Sequence, residues 1–144
     1  MKKIVVGFDG SDTAARAADE AAGLAQATGA ELHVVSVVDD ERYRQGVSTA
    51  EAHQHAEQRA AAMIQQLLAP EEGQLADRVA GITTFGKVVS GSAASRIVDY
   101  AQAIEADLIV VGNRRVQGIE RVLGSVAIAI LRQAPCSVYV AHTA

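Results

Sequence analysis

A chain of 144 residues with 49% hydrophobic and 21% charged side chains suffices for one domain over 1–144, burying roughly 68% of its unfolded surface, and is too apolar to stay disordered. A net charge of -4, 3% aromatics and no Trp argue against a nucleic-acid partner, which asks for clustered Lys and Arg and for stacking rings. One cysteine, Cys136, allows no intramolecular disulfide, no apolar run approaches a membrane span, and the opening Lys2-Lys3 is unlike a signal peptide, so the expectation is a cytoplasmic protein away from membranes.

In chain order, "KKIVVGFDGS" reads as a strand buried on both faces, ended by Gly7 and the turn formers Asp9-Gly10-Ser11. A helix dense in alanine follows, with Ser11 or Asp12 as N-cap and Gly29 as its stop. "ELHVVSVVDD" supplies a second strand, and Ser48 to Glu51, "STAE", matches a capping box led by Ser48, opening a long helix to about Leu68. The segment from Asp39 to Val47 is polar and suits a lid. Beyond Pro70 and Gly73, "VAGITTFGKVV" reads as a third, edge strand. A serine-capped helix carrying Ile97, Val98, Ala101 and Ile104 along one side precedes the strand "DLIVVG". A helix from about Ser125 to Arg132, stopped by Pro135, and the strand "CSVYVAH" close the chain. Strands alternating with helices predict βαβ units, hence a doubly wound α/β sandwich on a parallel sheet, which binds ligands at the carboxyl ends of its strands.

Two glycine turns fall at that end. One follows the first strand, and the other spans "VVGNRRVQGIERVLGSV", from Val110 to Val126, where a glycine stands at each end of an arginine-bearing loop. Glycine lets backbone approach a ligand, and Gly124-Ser125 opens a helix whose free N–H groups attract an anion. Plainer roles exist for each residue. Asp9 can cap its own turn, Gly7, Gly10 and Gly91 can be turn residues, and Gly118 can relieve crowding. Arg114, Arg115 and Arg121 can form a solvated rim or pair with Glu120. His53 and His55 are two apart on a helix and face different ways, so they make no zinc pair, and His33 and His142 have no ligand cluster in sequence. Cys136 reads as a small packed side chain. No nucleophile elbow, Walker lysine or paired carboxylates appear, so no enzyme is expected.

"IVVGFDGS", "VVSVVDD", "ADLIVVGNR" and "LGSVAIAILRQAPCSVYV" together resemble the universal stress protein family over essentially the whole chain. The resemblance implies a five-stranded parallel sheet ordered 3-2-1-4-5 with helices on both faces, and ATP or a related adenine nucleotide across the crevice beside the first and fourth strands. It assigns the first turn, Gly7, Phe8 and Asp9, to the ribose or phosphates, with Mg²⁺ held at Asp9 only through the nucleotide. It sets the backbone of Val37 or Val38 against the adenine. Val111 and Gly112 would start the phosphate loop, Arg114 and Arg115 would lie within it, and Gly124, Ser125 and Val126 would close it. It also implies a homodimer paired through the strand at 136–142, acting on protein partners that the sequence does not name. The family's Gly-x-x-Gly, about nine residues, then Gly-Ser pattern is altered here: Arg115 replaces the second glycine, and eight residues separate it from Gly124. If that position needs a left-handed backbone, the arginine costs roughly 1 to 2 kcal/mol, although its guanidinium can itself bind a phosphate. A nucleotide-regulated module is therefore weighed against a nucleotide-free dimeric interaction protein, and both against a hydrolase using the same crevice.

Overall fold

The structure, a computed structural model, describes residues 1–115, 121, 122 and 124–142, with 114, 115, 121 and 122 described through their backbone alone. Its elements are β1 (Lys3–Gly7), α1 (Asp12–Thr28), β2 (Glu31–Val38), α2 (Glu41–Arg44), α3 (Ala50–Leu68), α4 (Ala76–Val79), β3 (Thr84–Ser90), α5 (Ala93–Ala103), β4 (Leu108–Gly112), β5 (Arg114–Arg115), β6 (Arg121–Val122), α6 (Ser125–Gln133) and β7 (Ser137–Ala141). Five strands form one sheet in the order β3-β2-β1-β4-β7, with every pairing parallel. Counted within the sheet this is the expected 3-2-1-4-5, and it sets β1 beside β4.

The apolar runs explain the arrangement. Ile4, Val5 and Val6 are all buried because β1 is central and covered on both faces. Alternation sends Ile4 and Val6 into one core layer with α1 and α3, and Val5 into the other with α5 and α6. α1 meets the sheet with five fully buried alanines, Ala17, Ala18, Ala21, Ala22 and Ala25. Its caps are those expected: Ser11 Oγ accepts from Ala14 N–H at 3.1 Å, and Gly29 turns left-handed at φ 75°.

Several expectations need correction. Thr49, not Ser48, caps α3, its Oγ1 accepting from Ala52 N–H at 3.0 Å. The helix begins one residue later, so the hydroxyl in reach is the threonine's. The third strand starts at Thr84, and its expected first residue, Val79, instead ends α4 with its side chain buried. The polar segment from Asp39 to Val47 contains the single turn α2. Ile104 is the C-cap of α5, one position past its last helical residue, and it packs against the same core cluster as Ile97, Val98 and Ala101, as expected. Gly7 is the last residue of β1 and not a turn residue: a methyl there would stand 2.8 Å from Ile97 Cδ1, so its bareness admits α5. Within the arginine loop, Arg114 pairs with Val122 and Arg115 with Arg121 in a short antiparallel ribbon.

Candidate functional site

A cleft of about 530 Å³ opens at the carboxyl ends of β1 and β4, within the range of small-molecule sites. β1 and the turn behind it supply Gly7, Phe8 and Asp9, β2 supplies Val37, β4 supplies Val111 and Gly112, and the start of α6 supplies Gly124, Ser125 and Val126. The two glycine turns, over a hundred residues apart in sequence, therefore line one cavity. A larger groove of about 1090 Å³ between α3 and β3 holds no titratable side chain but Lys87 and no helix N-terminus, so its chemistry is poorer.

The first turn is locked from both sides. Phe8 N–H donates to Val35 O at 2.9 Å, and the buried Ser36 hydroxyl donates to Phe8 O at 2.6 Å. With that peptide fixed, Asp9 folds over its own turn and its Oδ1 accepts from Ser11 N–H at 2.9 Å. The plain reading of Asp9 as a turn cap therefore holds, and the same turn presents it to the cleft.

The second turn is built differently. Gly124 is the N-cap of α6 in an extended conformation, and being a glycine it supplies no capping side chain to the N–H groups behind it. Such a helix start carries a partial positive charge and favours an anion. α5 also points its first turn at the cleft through Ala93, and its N-cap Ser92 makes no side-chain cap bond. Past β4, Asn113 N–H donates to Ala141 O at 3.1 Å, tying the entrance of the arginine loop to β7.

Val38 is not among the cleft's lining residues. It pairs with Ser90, and its carbonyl accepts from Gly91 N–H at 3.0 Å, whereas Val37 faces the cavity. Arg115 sits in extended backbone, and Glu105 is the one non-glycine with positive φ among the described residues. The arginine therefore replaces the family's glycine with no left-handed strain. The side chains of Arg114, Arg115 and Arg121, together with Gly118 and Glu120, lie outside the described residues. Sequence reasoning missed Thr13, Val35, Ala93 and Ile97, which also line the cleft. Only the spacing of Val35 to Val37, two apart on one strand, could have pointed to one of them.

The histidines lie elsewhere. His33 is buried between Tyr100 Oη at 2.8 Å and Glu31 Oε1 at 3.1 Å, stacked on Phe85. Burial, and then the Glu31 charge, hold the Tyr100 hydroxyl above its ordinary pKa. His53 Nε2 is 3.0 Å from Ser90 Oγ and 3.8 Å from Glu57 Oε1. Among the described residues no three potential ligands gather around a metal position. Burial, and then the charge of Asp107, raise the Cys136 thiol above its ordinary value.

The universal stress protein family model matches residues 1–142. A universal stress protein of Methanocaldococcus jannaschii is 34% identical over 147 residues, covering 96% of this chain and 81% of that one. A putative universal stress protein of Staphylococcus epidermidis is 30% identical over 145 residues, 99% of this chain and 84% of its own. Among solved structures, the universal stress protein UspA from Lactobacillus plantarum superposes with a TM-score of 0.75 at 31% identity, over 96% of each chain. A universal stress protein crystallised in complex with cAMP superposes with a TM-score of 0.63 at 26% identity, over 99% of this chain and 98% of that one.

Proposed function

The chain belongs to the universal stress protein family, and on that premise we propose that its cleft binds an adenine nucleotide, ATP or a relative, and that the protein works as a nucleotide-controlled regulatory module and not as an enzyme. The observation that carries this reading is the start of α6: a helix N-terminus whose N-cap is a glycine and so supplies no capping side chain, opening into the cavity that also holds Asp9 and Val37. The N–H groups of Ser125 and Val126 and the Ser125 hydroxyl would receive phosphate oxygens, and Gly112 lets backbone approach them. Val37 offers its backbone to the adenine, and Asp9 offers its second carboxylate oxygen to the ribose or phosphates. Among the described residues Asp9 is the one acidic side chain lining the cleft. One carboxylate beside phosphates suits Mg²⁺, which keeps most of its water, so the metal would arrive with the nucleotide and neutralise phosphate charge there. The relative bound to cAMP supports the ligand class.

Isothermal titration with ATP, ADP, AMP and cyclic AMP tests the reading. ATP at a hundred times its Kd should add about 2.7 kcal/mol of stability. No heat and no thermal shift at millimolar ligand would overturn it.

A second reading, a dimeric interaction protein without nucleotide, is favoured by the apolar surface at the far edge of the sheet. Val126, Ile128 and Leu131 of α6 and Tyr139 and Val140 of β7 are exposed, and among the described residues β7 is the edge strand of the sheet. Such an edge invites another strand, so a homodimer through 136–142 accompanies either reading. Val140→Lys should then yield monomers in light scattering, and unchanged dimers would reject that interface.

A further inference from the structure

α3 reaches the turn that follows β1 through one side chain. Met63 rests its Sδ on Gly10, where a methyl added to the glycine would stand 2.6 Å from that sulfur and 3.5 Å from Cε. Gly10 has φ +86°, a conformation that side chains rarely adopt, so the turn's backbone favours this glycine. On one side of Gly10 is Asp9, whose Oδ1 holds Ser11 N–H, and on the other is Ser11, whose Oγ caps α1. The thioether is thus the packing partner of the turn that presents Asp9 to the cleft. It is also 37% exposed, open to a small reagent. The chain has one other methionine, Met1, at the opposite end of β1.

We propose that Met63 is an oxidation site through which a peroxide loosens the Asp9–Ser11 turn and weakens ligand binding in the cleft. A sulfur lone pair attacks one oxygen of hydrogen peroxide, forming the S–O bond as the O–O bond breaks. The sulfur loses two electrons and becomes the sulfoxide, and the other peroxide oxygen, reduced, takes up a proton and leaves as water. The product is bulkier and polar. Its oxygen is a strong acceptor. With Sδ seated on Gly10, the larger and polar sulfoxide fits that contact less well than the thioether, and a side chain that swings toward water removes the packing of the turn. Methionine sulfoxide reductase would restore the thioether and the turn.

The affinity part of this proposal rests on the nucleotide reading above, and the turn part does not, so the experiment reads both. Purified protein is treated with hydrogen peroxide, the two methionine peptides are followed by mass spectrometry with Met1 as reference, and ATP binding and amide hydrogen exchange over 10–14 are measured before and after. Wild type should bind ATP roughly fivefold more weakly once Met63 is oxidised, and its turn amides should exchange faster. Met63→Leu, of similar shape but inert to peroxide, should keep both properties through the treatment. Met63→Gln, which carries an oxygen near the sulfoxide's place, should show the weakened state without peroxide. Should the protein bind no nucleotide at all, faster exchange confined to oxidised wild type still supports the site. Complete sulfoxide at Met63 with unchanged exchange, equal losses in Met63→Leu, or oxidation of Met1 alone would each overturn it.

Discussion

The two ends of the central sheet use their polar groups in opposite ways. At the amino ends, those groups consume one another. Asp107 accepts from the backbone N–H of Lys2 at 2.6 Å and of Lys3 at 2.9 Å, and Lys3 Nζ donates to Ile104 O at 3.0 Å. His33 has both ring nitrogens engaged. At the carboxyl ends, Ser11 and Asp9 close the start of α1, while the start of α6 has a glycine where a capping side chain would be. The difference teaches that one end is stitched together by its own polar groups, and that the other leaves the starts of α5 and α6 without a cap from their N-cap side chains.

That contrast can be broken by substitution. The largest expected effect is on the stitched end: His33→Ala removes a buried ring with two hydrogen-bond partners and should cost about 2 to 3 kcal/mol, read by urea denaturation, with ATP affinity unchanged. A matching loss of affinity would mean that the two ends are coupled. Next, Ser125→Ala at the open end should leave stability within about 0.5 kcal/mol, because this side chain caps nothing, yet weaken ATP binding about tenfold. If stability falls and binding holds, the assignment of the ends is reversed.

The smallest effect is a pH dependence. The two backbone N–H groups of Lys2 and Lys3 hold the Asp107 carboxyl below its ordinary value. A carboxylate depressed on folding stabilises the protein above its unfolded pKa, near about 4, and that contribution fades as pH falls through the folded value. The wild type should therefore melt above Asp107→Asn at neutral pH, with the gap closing below about pH 4. A gap that persists or widens in acid would show that the carboxylate is not the stabilising group.

Much of this was legible in the sequence, for reasons that particular residues make clear. Ile4 to Val6 and Leu108 to Val110 announced buried strands because both faces of a central parallel strand need apolar side chains. Ser11 and Gly29 marked α1 because caps are local chemistry. The cleft was readable to the extent that glycine turns mark strand ends. What failed was whatever depends on contacts between distant segments. Nothing local told that Gly7 is bare to admit Ile97, or that Val37 and not Val38 faces the cavity, since strand alternation has no absolute phase until a neighbour fixes it. Thr49 displaced Ser48 as a cap because two adjacent hydroxyls satisfy the same pattern, and the path of the chain before α3 selects between them.

The buried alanines of α1 carry one more consequence. An alanine has no side-chain torsion to freeze, so seating this helix on the sheet costs backbone entropy and almost nothing else. Ala14 and Ala17 belong to the same helix and form part of the cleft's wall. The stretch that these two alanines form has no rotamers to exchange, so whatever molecule enters meets the same outline there each time and must fit it by its own shape.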